Sequence, residues 1–335
     1  MSSDSPPTEE LRRAPAAFTD RVTADGRFGR EAVAGRYRLV INRACPWAHR
    51  AVIVRRLMGL EDAISLAVTD PLQEVIAGED HWVFSEGTGS PGGKDPVLGI
   101  HALREAYLAR DPHYTGGVSV PALVDVETGH LVTNDFDRLT LDLGAEWSTL
   151  ARPGAPELYP EALRDEIDTL CEEIYQDLNN AVYRAGFAPD QQHYDAAVGA
   201  VFGRLDALEE RLTDRRYLLG DALTEADIRL FPTLVRFDAV YHGHFKCNIR
   251  KLSEYPALWA YARDLFQTPG FGDTTHFGHI RTHYYYVHAA INPTRVIAAG
   301  PDARGWLTAH HRESLGGAPF GAGTAPGPVP AGEHL

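Results

Sequence analysis

Apolar positions change their spacing once along this chain, near its middle. Up to about residue 150 they come as short runs bounded by turn residues: Leu39-Val40-Ile41, Ile64 to Val68, Val118 to Asp125 and Leu131-Val132. Runs of that length and composition predict strands. Between them, Trp47 to Val54, Ala102 to Arg110 and the stretch from Asn134-Asp135 to about Trp147 continue at helical spacing. Gly59 reads as the C-cap of the first of these helices, and Glu127-Thr128-Gly129-His130 as a hairpin turn. Beyond residue 160 the pattern is helical throughout. Leu163, Ile167, Leu170, Ile174, Leu178 and Val182 step by three and four, as do Tyr194, Ala197, Val201, Leu205, Leu208 and Leu212. Thr224-Glu225-Ala226-Asp227 resembles a capping box ahead of a helix from Ile228 to Ala239, and two more helices follow, Pro256 to Gln267 and about Thr275 to His288.

The order β-α-β-(α)-β-β-α followed by helices predicts an α/β thioredoxin-like domain over residues 31–150 and an all-α domain over 161–301. A Pro/Gly/Ala linker at 151–160 joins them. Residues 1–30 read as a flexible lead-in and 302–335 as a mostly disordered tail. Residues 70–117 read as a flexible insertion. Within it Gly87, Gly89 and Gly92 match a dinucleotide fingerprint by letter, but no full strand precedes them and Pro91-Gly92-Gly93 stands where a helix must begin.

Composition narrows the function classes. At 335 residues and 44% hydrophobic content the chain can bury a large core, and its net charge of −14 argues against nucleic acid or an anionic membrane as partner. No run of 18 apolar residues occurs, and the first residues carry neither a basic nor an apolar leader, so a cytoplasmic protein is expected. Three widely spaced cysteines, Cys45, Cys171 and Cys247, make no disulfide framework and fit a reducing compartment.

The chemistry concentrates between Arg38 and Arg56. A strand, a short turn and Cys45-Pro46 lead into a helix, so Cys45 falls at the N-cap and Pro46 at the first helical position, where no backbone N–H is needed. A sulfur there faces unpaired N–H groups and the positive end of the helix dipole, which favours the thiolate. His49, Arg43 and Arg50 flank it. Ala48 stands where a Cys-x-x-Cys pair would have its second cysteine, so the chemistry should be monothiol. The proline inside the Val118–Asp125 run suggests a cis Val120–Pro121 peptide, leaving the Val120 backbone free to pair with a thiol ligand as an added strand would.

These residues carry a family resemblance. Cys45-Pro46-Trp47-Ala48-His49-Arg50, Ala181 to Ala188, the run from Leu223 to Arg250, and His283-Tyr284-Tyr285 with Ile291-Asn292-Pro293 together resemble the glutathionyl-hydroquinone reductases, the xi class of glutathione S-transferases. The resemblance spans roughly residues 30–301 and implies the glutathione S-transferase fold. It also implies that Cys45 attacks the sulfur of a glutathionyl-hydroquinone, that hydroquinone leaves, and that a second thiol resolves the mixed disulfide. By matched position Trp82, Arg104, Val120 and Pro121 resemble the thiol site, with Arg104 pairing a carboxylate and Val120 pairing backbone. Tyr183 and one of Tyr284 or Tyr285 resemble the tyrosines that hydrogen-bond the quinol oxygen. The implied partners are a small-molecule thiol, an aromatic hydroquinone conjugate and a second copy in a homodimer.

One stretch departs from the family. Asn134-Asp135-Phe136 replaces Asn-Glu-Ser, so Asp135 is one methylene shorter and Phe136 offers no hydroxyl. Loss of that donor weakens a buried ligand carboxylate by about 1–3 kcal/mol. The Arg- and Ala-rich, Lys-poor composition hints at a GC-rich actinobacterial source, where mycothiol is common, so glutathione and mycothiol both stand as cosubstrates. A general thiol transferase or dehydroascorbate reductase-like activity is a neighbouring alternative. His276, His279 and His283 at i, i+3 and i+7, with His242 and His244, raise a metal enzyme as a rival, although no carboxylate or cysteine keeps step with them and no metal is expected. A non-catalytic binding module is the third reading.

Overall fold

The computed structural model describes residues 15–329. The described residues divide into two compact units, one of 15–155 joined by 326–329, the other of Pro156–Ala325.

The first unit runs β1 (Tyr37–Ile41), α1 (Pro46–Met58), β2 (Ile64–Val68), a hairpin of β3 (Glu74–Ile76) and β4 (Glu79–His81), α2 (Arg104–Arg110), β5 (Ala122–Asp125), β6 (Leu131–Thr133) and α3 (Phe136–Ala145). Its main sheet has the order β2-β1-β5-β6. β1 and β2 are parallel, with Leu39 opposite Leu66, while β5 pairs antiparallel with both β1 and β6. All five residues of β1 are buried, which is why it reads as an unbroken apolar run rather than an alternation. α1 is buried along its whole length and ends at Gly59 in the left-handed conformation, where a Cβ would meet the Arg152 side chain at 2.7 Å. This is the thioredoxin-like α/β arrangement.

The segment expected to be a flexible insertion is built instead. Arg38 of β1 donates two hydrogen bonds to Asp95 at 2.9 and 2.6 Å, and Asp95, 1% exposed, also takes the backbone N–H groups of Val97 and Leu98. A carboxylate buried on an arginine holds only if the surrounding loop is fixed, and so residues 86–100 are anchored to the sheet. The lead-in is likewise tied down over its described part. Phe18 N–H donates to the side-chain oxygen of Asn134 and Phe18 O accepts Asn134 N–H, Thr19 bridges Thr133, and Arg30 and Arg36 reach the fully buried Asp125. The strand expected from Val118 begins only at Ala122, because Pro121 has no N–H to give the ladder.

The second unit contains α4 (Arg164–Ile174), α5 (Ala181–Gly186), α6 (Gln191–Arg211), α7 (Glu225–Arg236), α8 (Pro256–Gln267) and α9 (Phe277–Val287). Thr224 and Asp227 form the capping box of α7, and the buried Asp227 also accepts from Leu218 N–H and Tyr261 O–H. Two expected helices are interrupted. The stripe through Leu163 and Val182 passes through a π-turn at Tyr175–Asn179, and the helix expected to reach Ala239 gives way after Arg236 to a π-turn at Phe237–Tyr241. The backbone bonds Asn180 N–H to Tyr175 O at 3.0 Å and His242 N–H to Phe237 O at 2.8 Å span five residues each. Hydrophobic periodicity does not register one extra residue per turn.

The expected disordered tail is ordered from 302 to 325. Trp306 is buried against Trp259 and Phe266, and Arg312, 4% exposed, donates to the carbonyls of Leu212, Arg215, Arg216 and Ala257. The guanidinium thereby closes the C-terminal end of α6, a place that favours a cation. The parts of the terminal expectations that fall on 1–14 and 330–335 lie outside the described residues.

Candidate functional site

Chemistry gathers in two places, one in each unit. In the first, Cys45 is the N-cap residue of α1, with Pro46 at the first helical position, and it is half-buried. The turn ahead of it is held by Asn42, whose side chain accepts Ala44 N–H at 2.9 Å and donates to Asp70 O at 2.7 Å. The Cys45 thiol donates to the Val120 carbonyl at 3.4 Å across a cis Val120–Pro121 peptide. Ionisation gives up that bond, and the positive end of α1 stands against the loss. Arg50, one turn further on, lies over the Trp47 ring at 4.5 Å and pairs with Asp137 at 3.5 Å.

The remaining candidates of this unit converge on the segment 116–121. Trp82 donates its indole N–H to Val118 O at 3.1 Å, and Arg104 reaches Gly116 O at 3.4 Å. Tyr107 donates to Ser119 O at 3.0 Å, and Asn134 donates to the Ser119 hydroxyl at 2.9 Å. Arg104 also pairs with the exposed Glu79 at 3.2 Å. Asp135 is the N-cap of α3 and accepts Arg138 N–H at 3.2 Å. Phe136 packs on Trp47 with ring centroids 4.8 Å apart. Thus Cys45, Trp82, Arg104, Val120 and Pro121 share one loop, and Asp135 joins it through its neighbour Asn134.

The second unit assembles three phenols. The hydroxyls of Tyr183 and Tyr284 are hydrogen-bonded to each other, and Tyr284 is bonded in turn to Tyr241 at 3.0 Å. Tyr241 and Tyr284 are buried while Tyr183 is half-buried, so the chain runs inward from Tyr183. Burial pushes the hydroxyls of Tyr241 and Tyr284 well above the ordinary tyrosine range, with Tyr183 adding to it in both. Phe245 stacks on Tyr241 at 5.4 Å and meets Tyr183 at 5.3 Å edge-on. Tyr285 does not belong to the chain. Its hydroxyl donates to Ala239 O at 3.4 Å and its ring rests on His244. Sequence spacing missed Tyr241, because the π-turn that carries it turns a helix pattern by one residue.

The histidines serve packing and capping. His276 is the N-cap of α9 and accepts His279 N–H at 2.9 Å. His244 and His288 meet ring nitrogen to ring nitrogen at 3.3 Å, and burial lowers their imidazoles to about 4 and about 3. Among the described residues no group of three or more His, Cys, Asp or Glu could hold a metal ion. Cys171 and Cys247 are buried, and burial pushes the Cys247 thiol up to about 12. No helix among the described residues is long and apolar enough to cross a membrane.

Comparison with known proteins matches this picture. Residues 191–264 match the family described as Glutathione S-transferase, C-terminal domain. The chain is 43% identical over 298 residues to glutathionyl-hydroquinone reductase YqjG of Escherichia coli, covering 87% of this chain and 89% of that protein. Its fold superposes on a glutathione transferase from Gordonia bronchialis at 57% identity and TM-score 0.90, covering 94% and 96% of the two chains. The glutathione-bound structure of YqjG aligns at 42% identity and TM-score 0.82, covering 88% and 96%. Similarity of that extent, over most of the chain, makes it a member of the glutathionyl-hydroquinone reductases, the xi class of glutathione S-transferases.

Proposed function

We propose that this protein is a thiol-dependent reductase that removes the thiol group from glutathionyl-hydroquinones through a Cys45 mixed disulfide. The observation that carries it is a half-buried cysteine at the start of α1, beside the Val120 backbone, in a chain 43% identical to a glutathionyl-hydroquinone reductase. In the keto tautomer of the conjugate a hydroxyl proton has moved to the sulfur-bearing ring carbon. The Cys45 thiolate then attacks the sulfur, the carbon–sulfur bond breaks, and its electron pair returns to the ring as a phenolate that is protonated on oxygen. A second thiolate attacks the mixed disulfide, forms the small-molecule disulfide and returns Cys45 as thiolate. Trp82, Arg104, Val120, Pro121 and Asp135 bind the thiol, with Arg104 exchanging Glu79 for a ligand carboxylate. Tyr183 and Tyr284 hold the quinol oxygen. The assignment of Tyr284 rather than Tyr285 is supported by its hydroxyl meeting that of Tyr183.

Glutathione is the cosubstrate supported by the glutathione-bound relative. Mycothiol is a second reading, favoured by Phe136 covering Trp47 where the family has a serine, and by Asp135 spending one oxygen on the cap of α3. We place the enzyme in the cytoplasm, with its cysteines reduced, and as a homodimer through the helical unit. The deciding assay follows release of menadiol from its thiol conjugate with glutathione and with mycothiol in parallel. Turnover with one thiol names the cosubstrate, and turnover with neither overturns the substrate class.

A further inference from the structure

The guanidinium assigned to the thiol's carboxylate already faces a carboxylate of this chain. Arg104 is the first residue of α2, and it pairs with Glu79 of β4 at 3.2 Å. The register of the hairpin brings Glu79 there. Glu74 lies opposite His81 and Ile76 opposite Glu79, so these four share one face, while Val75 and Asp80 share the other. Val75 and Asp80 are exposed. The first face meets the segment 101–104: Glu74 pairs with His101 at 3.2 Å, His81 is buried, and Glu79 takes Arg104. Backbone bonds fasten the chain beyond β4, from Leu103 N–H to Trp82 O and from Phe84 N–H to His101 O, each at 2.9 Å. The hairpin is therefore held by contacts other than Glu79. No lysine or arginine occurs between residues 57 and 93 to offset its carboxylates.

We propose that Glu79 is a specificity-determining residue: by occupying Arg104 it sets the site against thiols that bring a carboxylate and favours thiols that bring an uncharged hydroxyl-bearing group. The proposal rests on the thiol site argued above, in which Arg104 binds the thiol. A ligand carboxylate reaching Arg104 either displaces Glu79, which then loses its partner, or shares the guanidinium with it against the repulsion of two anions. A hydroxyl meets neither penalty, because it can donate to Glu79 and accept from Arg104 with the pair intact. The Arg104 and Glu79 side chains are 19% and 59% exposed, so the discrimination is that of a solvent-screened pair.

S-methylglutathione has no thiol to react, so titration calorimetry reads the site alone, and its diethyl ester is the same ligand without carboxylates. The test measures Kd for both with the wild-type enzyme, Glu79→Gln, Glu74→Gln, Arg104→Gln and the double variant Glu79→Gln, Arg104→Gln. Glu79→Gln is expected to lower Kd for S-methylglutathione about 5-fold and to leave that for the diester within about 2-fold. Glu74→Gln, which removes the neighbouring ion pair of the hairpin and leaves Glu79 on Arg104, keeps both within about 2-fold. In the Arg104→Gln background the gain from Glu79→Gln disappears. No tightening by Glu79→Gln, equal tightening of acid and ester, or a matching gain from Glu74→Gln overturns the proposal. If Arg104→Gln leaves S-methylglutathione binding unchanged, or neither ligand binds the wild-type enzyme or any variant, the thiol site on which the proposal rests is overturned with it.

Discussion

Cys45 is set apart by position rather than by identity, since the chain has two other cysteines that share none of its surroundings. Cys247 is buried, with its thiol pushed up to about 12, and Cys171 lies in the core of the helical unit. Cys45→Ser is therefore expected to abolish turnover, whereas Cys171→Ser and Cys247→Ser keep it within about 3-fold, as steady-state rates of hydroquinone release will show. Position also decides what Phe136 does. It fills the start of α3 with a ring against Trp47, where a serine would offer a hydroxyl. Phe136→Ser is expected to lower KM for glutathione about 5-fold or more, the equivalent of about 1 kcal/mol of restored hydrogen bonding, and to leave KM for mycothiol unchanged. The placement of Cys45 at the N-cap of α1 and the phenylalanine at 136 are both legible from spacing and residue type. The partner carbonyl of Val120 and the packing on Trp47 were contacts between distant residues, which no local pattern encodes.

At the level of elements, the π-turns Tyr175–Asn179 and Phe237–Tyr241 matter more than any helix around them. Each re-aims the residues that follow it, and together they bring Tyr183, Tyr241 and Tyr284 into hydrogen-bonding reach. Apolar spacing predicts one helix through each of them, because a single extra residue leaves an apolar stripe almost intact. The tail misled for a related reason. Gly, Pro and Ala promise disorder, yet Arg312, Trp306 and backbone bonds such as Ala318 N–H to Asp221 O fasten the segment. Arg312→Ala leaves several carbonyls at the end of α6 without their donor and is expected to cost about 2 kcal/mol. For a unit of this size that lowers the thermal midpoint by about 4–8 °C, measured by circular dichroism, with earlier proteolysis in residues 302–325.

Across the whole molecule, stability should depend on pH through imidazoles the reaction does not use. His244 and His288 are held neutral by burial, at about 4 and about 3, while in the unfolded chain they titrate near 6.5. Between those values the unfolded state binds more protons, so stability falls as pH drops below 6.5 and gains nothing from them above it. The urea midpoint is expected to stay level from pH 8 to 7 and to fall between pH 6.5 and 5, with a shallower fall in the double variant His244→Gln, His288→Gln. A midpoint independent of pH over that interval would show that the two rings are not buried neutral. Sequence by itself determined the two-part architecture, the order of elements in the first unit and the place of Cys45 at the start of α1. Each of these is written in local periodicity and in the handful of residues that begin and end elements. Tertiary structure decided which tyrosine joins Tyr183, that Tyr241 stands behind Tyr284, and that Arg38 on Asp95 fastens the segment read as an insertion. Those outcomes depend on burial and on hydrogen bonds across tens of residues, where the free energy belongs to the pair and neither member alone announces it.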